Sequence, residues 1–314
     1  MNPRIKKLSA CAGASPYWDI EGVVADLRNL RLKDHERREG PCKLPSRKAL
    51  IGITEGLSAA LFPNRLGLPD LTGEGVDFFV GHTLDVTLRE LLKQIRLEFE
   101  FRSGRDDISK SDFDRAIKVT HAFASELPRV RCLLETDIRA AYDGDPAAHS
   151  IDEVLICYPG VTAMIHHRLA HVLYGLDAPL LSRMIAEIAH STTGIDIHPG
   201  AQISESFFID HGTGVVIGET TVIGQRVRLY QAVTLGAKRF PTDDHGALMK
   251  GGARHPIVED DVVIYAGATI LGRITIGRGS SIGGNVWLTR SVPPGSTISQ
   301  AHVRSEHFHD GGGI

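Results

Sequence analysis

Cysteine is scarce. Four thiols occur in 314 residues, at Cys11, Cys42, Cys132 and Cys157, and no two form a CxxC pair. This spacing argues against a disulfide framework and a cysteine zinc site, and it fits reduced thiols in a cytoplasmic protein. Long apolar runs are missing too: none approaches the ~20 residues of a membrane span. No apolar segment follows the basic residues of MNPRIKKLSACAG, so no signal peptide is expected. Nor does one sign of charge dominate. Lys and Arg number 35 against 38 Asp and Glu, a formal net charge of −3, which favours neither nucleic acid nor an anionic membrane surface as partner.

What is abundant is glycine, 33 residues, and a six-residue rhythm explains it. Val258, Ile264, Ile270, Ile276, Ile282 and Leu288 recur every sixth position, as do Ile217, Ile223, Leu229 and Leu235. Neither a helix (period 3.6) nor a two-faced strand (period 2) requires a repeat of six. A hexapeptide solenoid does, because each six-residue segment forms one flat face of a triangular coil and points its aliphatic residue inward. Glycine follows the aliphatic in Ile217-Gly218, Ile223-Gly224, Leu235-Gly236 and Ile276-Gly277, where the chain turns a corner. The expected fold is α+β. A helical N-terminal domain (1–190) precedes a left-handed parallel β-helix (191–290) with one looped-out excursion, then a flexible tail (291–314).

The N-terminal part carries helix signals instead of the repeat. A helix is expected from Ser111-Asp112-Phe113, with Phe113, Ile117, Thr120 and Phe123 inward. Pro128 is expected to start another, with Val130, Leu134, Ile138 and Ala141 inward, ending at Asp143-Gly144. Ser150 with Glu153 has capping-box spacing. Further helices are expected over 161–174 and 179–189. RNLRLKDHERRE reads as a charged helix, and 63–75 as a Pro/Gly-rich loop. Between Gly236 and Pro256 the period is lost in AKRFPTDDHGALMKGGARH, a looped-out excursion of the kind that usually carries function.

Polar residues that break the solenoid pattern are the candidates for chemistry. Asp196 precedes His211 by fifteen residues, close to one coil, so both can lie on one edge. A carboxylate that orients an imidazole suits a general base, though both residues also commonly bond turn backbones. Arg254 and His255 at the foot of the excursion offer a carboxylate clamp. His167 and His171 stand four apart on a helix, as in a zinc pair, but no Glu takes the place it has in HExxH, so packing is expected and no metal is assigned. Asp145 follows a helix stop and reads equally as an N-cap.

These stretches, in this order, resemble the serine O-acetyltransferase family. The matching segments are DPA at 145–147, DIHP at 196–199, IDHGTGVVIGET at 209–220, VTLGA at 233–237, RHP at 254–256 and GGNVWLTRSVPPGS from Gly283. The long excursion and the GGNVW segment are similar to a variant branch of that family. The resemblance implies transfer of acetyl from acetyl-CoA, as co-substrate with no permanently bound cofactor, to the hydroxyl of L-serine in cysteine biosynthesis. It implies His211 as general base with Asp196 as its dyad partner. Asp145 and Asp210 would receive the serine ammonium, and Arg254 and His255 its carboxylate. Acetyl-CoA would pass small residues at Gly236, Ala237, Ala266, Gly267 and Gly284. The family further implies a homotrimer or a dimer of trimers, feedback inhibition by L-cysteine, and docking of O-acetylserine sulfhydrylase on the C-terminal Ile314. Two alternatives keep the solenoid: another hydroxyl acceptor (sugar, antibiotic or homoserine), or a γ-class carbonic anhydrase with zinc between subunits.

Overall fold

A computed structural model describes residues 20–37, 43–104, 110–239, 248–249 and 251–300. Among the described residues eight helices come first: α1 (Ile20–Arg37), α2 (Arg47–Leu61), α3 (Pro63–Leu66), α4 (Gly73–Ser103), α5 (Lys110–Gly144), α6 (Ile151–Cys157), α7 (Pro159–Gly175) and α8 (Pro179–Thr193). Half of the capping box forms: Ser150 Oγ accepts from the Glu153 N–H at 3.0 Å, while the Glu153 carboxylate accepts from the N–H of His149, one residue before the cap, at 2.8 Å. The expected loop at 63–75 is shorter than the sequence suggests. Pro63 opens α3 from the first helical position, where its missing N–H costs nothing, and Thr72 caps α4.

Pro128 does not divide two helices; α5 runs through it as one helix of 35 residues. The reason lies in the phase of the apolar stripe. Ala116, Val119, Phe123, Leu127, Val130, Leu134, Ile138 and Ala141 are all buried and follow one another at steps of three or four across the proline, so breaking the helix would expose half the stripe. The same stripe leaves Phe113 outside the core, with the Arg96 guanidinium 5.1 Å above its ring.

From Asp196 the chain winds into a left-handed triangular solenoid of short parallel strands. They are β1 (Asp196–Ile197), β2 (Gln202–Ile203), β3 (Phe208–Ile209), β4 (Val216–Ile217), β5 (Val222–Ile223), β6 (Arg228–Leu229), β7 (Thr234–Gly236), β8 (Ile257–Val258), β9 (Val263–Ile264), β10 (Thr269–Leu271), β11 (Thr275–Ile276), β12 (Ser281–Ile282), β13 (Trp287–Leu288) and β14 (Thr297–Ile298). Three faces result, ordered β1-β4-β7-β10-β13, β2-β5-β8-β11 and β3-β6-β9-β12-β14. We call the corner between the third and first faces the histidine corner, and that between the first and second the arginine corner. Inside, Ile217, Leu229, Leu235, Ile264, Ile270, Ile276 and Ile282 are no more than 1% exposed. Each contributes about 1.5–3 kcal/mol of burial.

The register marks two departures from a regular coil. Val216 pairs with Thr234 and Thr269 with Trp287, an 18-residue turn, whereas Asp196 pairs with Val216. The first coil therefore holds two extra residues, both between β3 and β4, at the histidine corner. The second departure is the excursion between β7 and β8; residues 240–247 and 250 lie outside the described residues.

A buried ion pair fastens the helices to the open end of this solenoid. Arg168 on α7 forms a bidentate pair with Asp137 on α5 and donates to the carbonyls of Ile203 (2.5 Å) and Ser204 (2.7 Å). Asp137 in turn accepts from the Phe207 N–H at 2.9 Å. Backbone groups on the exposed edge of the first coil thus find partners in the helical layer. Within that layer the fully buried Glu98 caps another helix, accepting the Leu180 and Leu181 N–H groups at 2.9 and 3.0 Å.

Candidate active site

The two extra residues of the first coil shape the histidine corner. In Asp210-His211-Gly212-Thr213-Gly214 the backbone takes left-handed φ values at His211 (58°), Gly212 (91°) and Gly214 (80°), pushing the imidazole outward. The His211 side chain is 69% exposed, and its Nε2 lies 3.9 Å from Asp210 Oδ1. Asp145, just past the end of α5, approaches from the helical side. Its carboxylate accepts from the Tyr158 hydroxyl (2.5 Å) and the Ala147 N–H (2.9 Å). Those two bonds, with Arg228 and His211 nearby, hold its carboxyl below the usual aspartate range and push the Tyr158 hydroxyl up to about 12. Asp145 is therefore an ionised acid aimed at the same corner as Asp210 and His211.

Arg254 and His255 assemble elsewhere, at the arginine corner. Arg254 meets Glu219 at 2.6 Å, and the other Glu219 oxygen accepts from the Tyr174 hydroxyl of α7 at 3.0 Å. Burial alone would raise the Glu219 carboxyl, but the bonds from Arg254 and Tyr174 outweigh it and hold it low. His255 Nδ1 accepts from the Thr220 N–H at 3.1 Å, leaving Nε2 to carry the proton and act as a donor. Burial, helped by Arg254, lowers this imidazole to about 4; His198, half-buried on the same corner and repelled by Arg183, is also near 4. Both rings are neutral at physiological pH.

The two groups do not meet within one chain. Successive corners are separated by a flat face of six residues, on the order of 15–20 Å at ~3.3 Å per residue, whereas one amino acid spans about 3.5 Å. Asp196 lies at the edge of the histidine corner, its N–H donating to the Val215 carbonyl at 2.9 Å. Its carboxylate clusters with Glu187 and His190, ligand atoms all within 4.8 Å, and among the described residues it makes no ion pair with His211. The small residues split likewise. Ala266, Gly267 and Gly284 stack on the histidine corner, linked by the bond from Asn285 N–H to the Ala266 carbonyl. Gly236 and Ala237 rise on the arginine corner. Gly267 has φ 73° and no room for a Cβ, which would fall 2.2 Å from Asn285 Oδ1. Ile314 lies outside the described residues.

The helical histidines pack, as their sequence context suggests. His171 Nδ1 donates to the Pro199 carbonyl at 2.8 Å, and burial keeps His167 well below its ordinary pKa. Of the remaining site residues, Tyr158, Tyr174 and Arg228 lie outside every segment that carries the resemblance, and Glu219 lies within IDHGTGVVIGET without being singled out as a site residue. Among the described residues no helix is long and apolar enough to cross a membrane.

Comparison with known proteins agrees with the geometry. The model of the bacterial transferase hexapeptide family (six repeats) matches residues 255–290. A protein described as "Serine acetyltransferase, plasmid" from Synechococcus elongatus is 57% identical over 304 residues, 95% of each chain. The crystal structure of serine acetyltransferase isoform 3 from Entamoeba histolytica, in complex with cysteine, superposes with a TM-score of 0.68 at 36% identity, covering 86% of this chain and 87% of that one. A Brucella abortus serine acetyltransferase in complex with coenzyme A gives 0.53 at 28% identity, covering 80% and 94%.

Proposed function

The chain belongs to the serine acetyltransferase family, and from that premise we propose that it builds each active site from two subunits, the histidine corner of one facing the arginine corner of the next. The observation that carries this reading is the distance between the two corners: each holds half of what a zwitterionic serine needs, and one chain cannot bring the halves together. Packing prisms about a three-fold axis sets unlike corners against each other and closes the ring, giving three equivalent sites per trimer.

In that site Asp145 and Asp210 receive the serine ammonium from one subunit. Arg254 and the Nε2–H of His255 receive its carboxylate from the other. The hydroxyl then points at His211. As the serine oxygen attacks the thioester carbonyl of acetyl-CoA, His211 takes its proton; the C–S bond breaks, and the imidazolium returns the proton to the departing thiolate. Asp196 supports His211 as dyad partner after moving away from His190, a rearrangement for which the exposed His190 and Glu187 leave room. The columns of Gly236 and Ala237 and of Ala266, Gly267 and Gly284 flank the groove between subunits, where backbone can approach the pantetheine arm closely. L-cysteine, with a thiol in place of the hydroxyl, fits the same clamp and inhibits by occupying it. O-acetylserine sulfhydrylase docks on the C-terminal Ile314. The reaction takes place in the cytoplasm.

The test is release of free CoA from acetyl-CoA with L-serine, against L-homoserine and a no-acceptor control. Serine-dependent release suppressed by L-cysteine, and lost in His211→Ala, is the expected result. Equal release with homoserine would make the acceptor assignment wrong, and full turnover in His211→Ala would remove the base.

A further inference from the structure

Arg228, on the strand β6 one coil above Asp210, occupies an unusual place. Its guanidinium lies between two aromatic rings, 4.9 Å from the Phe208 centroid and 4.6 Å from that of Tyr230. Nη1 donates to the Gly144 carbonyl at the end of α5 (2.7 Å), and Nη2 to Asp210 Oδ2 (2.5 Å). Its charge also reaches Asp145. One side chain therefore joins the helix end that carries one acid to the corner that carries the other. Stacked rings and a two-point anchor leave it little freedom to move.

We propose that Arg228 is a positioning residue that fixes Asp145 and Asp210 and sets the charge facing His211. The inference rests on His211 being the base. Asp210 lies 3.9 Å from it on its own corner, Asp145 after α5 acts on it by charge, and Asp196 lies on the strand just past the corner; Tyr158 bonds Asp145, Arg228 bonds Asp210, and Tyr230 lies against Arg228. Tyr158 and Tyr230 are neutral phenols, held so by Asp145 and by burial respectively. Asp145, Asp210 and Arg228 together leave a single net negative charge, matched to one ammonium, while Asp196, as dyad partner, pairs with the imidazole itself. Without Arg228 the corner would carry two uncompensated carboxylates beside the base, a charge difference that the acid limb of the rate profile reads.

The experiment is the pH profile of kcat with L-serine at saturating acetyl-CoA for wild type, Arg228→Gln, Arg228→Lys and Asp210→Asn, with His211→Ala alongside. In Arg228→Gln the acid limb is expected to move up by about one pH unit, a tenfold loss on the acid side that recovers at high pH. Arg228→Lys keeps the charge without the fork, so its limb stays in place while kcat falls. Asp210→Asn removes a negative charge and moves the limb down, with a higher KM for serine. This arm decides the question if Arg228→Gln does not fold. A uniform loss with an unmoved limb in Arg228→Gln, a limb that moves equally in Arg228→Lys, or an unmoved limb in Asp210→Asn would each overturn the proposal. Undiminished turnover in His211→Ala would instead overturn the reading of the base on which it rests.

Discussion

Replacing Gly218 by alanine puts a methyl carbon where the edge of the His255 ring now lies. An added Cβ would stand 2.0 Å from Cδ2, 2.1 Å from Nε2 and 2.8 Å from Cγ, whereas ordinary contact begins near 3.4 Å. The ring must retreat by well over an ångström. It cannot do so and keep both bonds at Nδ1, 3.1 Å from the Thr220 nitrogen and 2.9 Å from its hydroxyl. Two hydrogen bonds at about 1 kcal/mol each put the loss near 2 kcal/mol, which is about 30-fold. Displacing the donor that meets the serine carboxylate can extend this to about 100-fold. Steady-state kinetics should show kcat/KM for L-serine falling by that amount, with KM for acetyl-CoA unchanged. Gly252→Ala, where a Cβ meets nothing within 4 Å, is the control and should retain full activity. A Gly218→Ala enzyme with wild-type kcat/KM for serine would refute the reasoning.

Other consequences concern stability. Arg168→Met strands Asp137 without its counter-ion and should cost about 3–5 kcal/mol, read as a lower chemical-denaturation midpoint; an unchanged midpoint would show that the latch contributes nothing. His198 and His255 sit near 4 in the fold, below the ordinary histidine value. The unfolded chain therefore takes up protons first as pH falls, and the stability held above about pH 6.5 should be lost progressively toward pH 4. Thermal melts across that window should fall, with a smaller drop for His255→Gln; identical slopes would remove His255 from the explanation.

Much of this architecture was legible in the sequence because a solenoid repeats one physical requirement, an inward aliphatic every sixth residue. A second break in that count is present in the sequence, though a reading with a single excursion misses it. Ile197, Ile203 and Ile209 keep the period among themselves, and Ile217 comes two residues late, which places the insertion beside His211. Reading Pro128 as a boundary failed because proline chemistry is local, whereas the stripe from Ala116 to Ala141 that overrides it extends over seven turns. Tyr158, Tyr174, Glu219 and Arg228 stayed hidden for a different reason. Each acts through a partner distant in the chain, such as Tyr174 on Glu219 or Arg228 on Gly144, and single-sequence periodicity carries no such pairing. Spacing suggested that Asp196 and His211 share an edge of adjacent coils; the backbone sets Asp196 beside Val215, four residues past His211, while its carboxylate sits with Glu187 and His190.

The claim that unlike corners of two chains form each site is open to a direct measurement, complementation between two inactive variants. His211→Ala and Arg254→Ala chains, purified separately and shown to be inactive, would be unfolded, mixed in equal amounts and refolded together. Random mixing in a closed three-membered ring leaves about a quarter of the interfaces with an intact histidine corner facing an intact arginine corner. Serine-dependent CoA release should return to about that fraction of wild type refolded in the same way. Mixed oligomers that form and remain inactive would contradict the account and place both halves of the site within one chain.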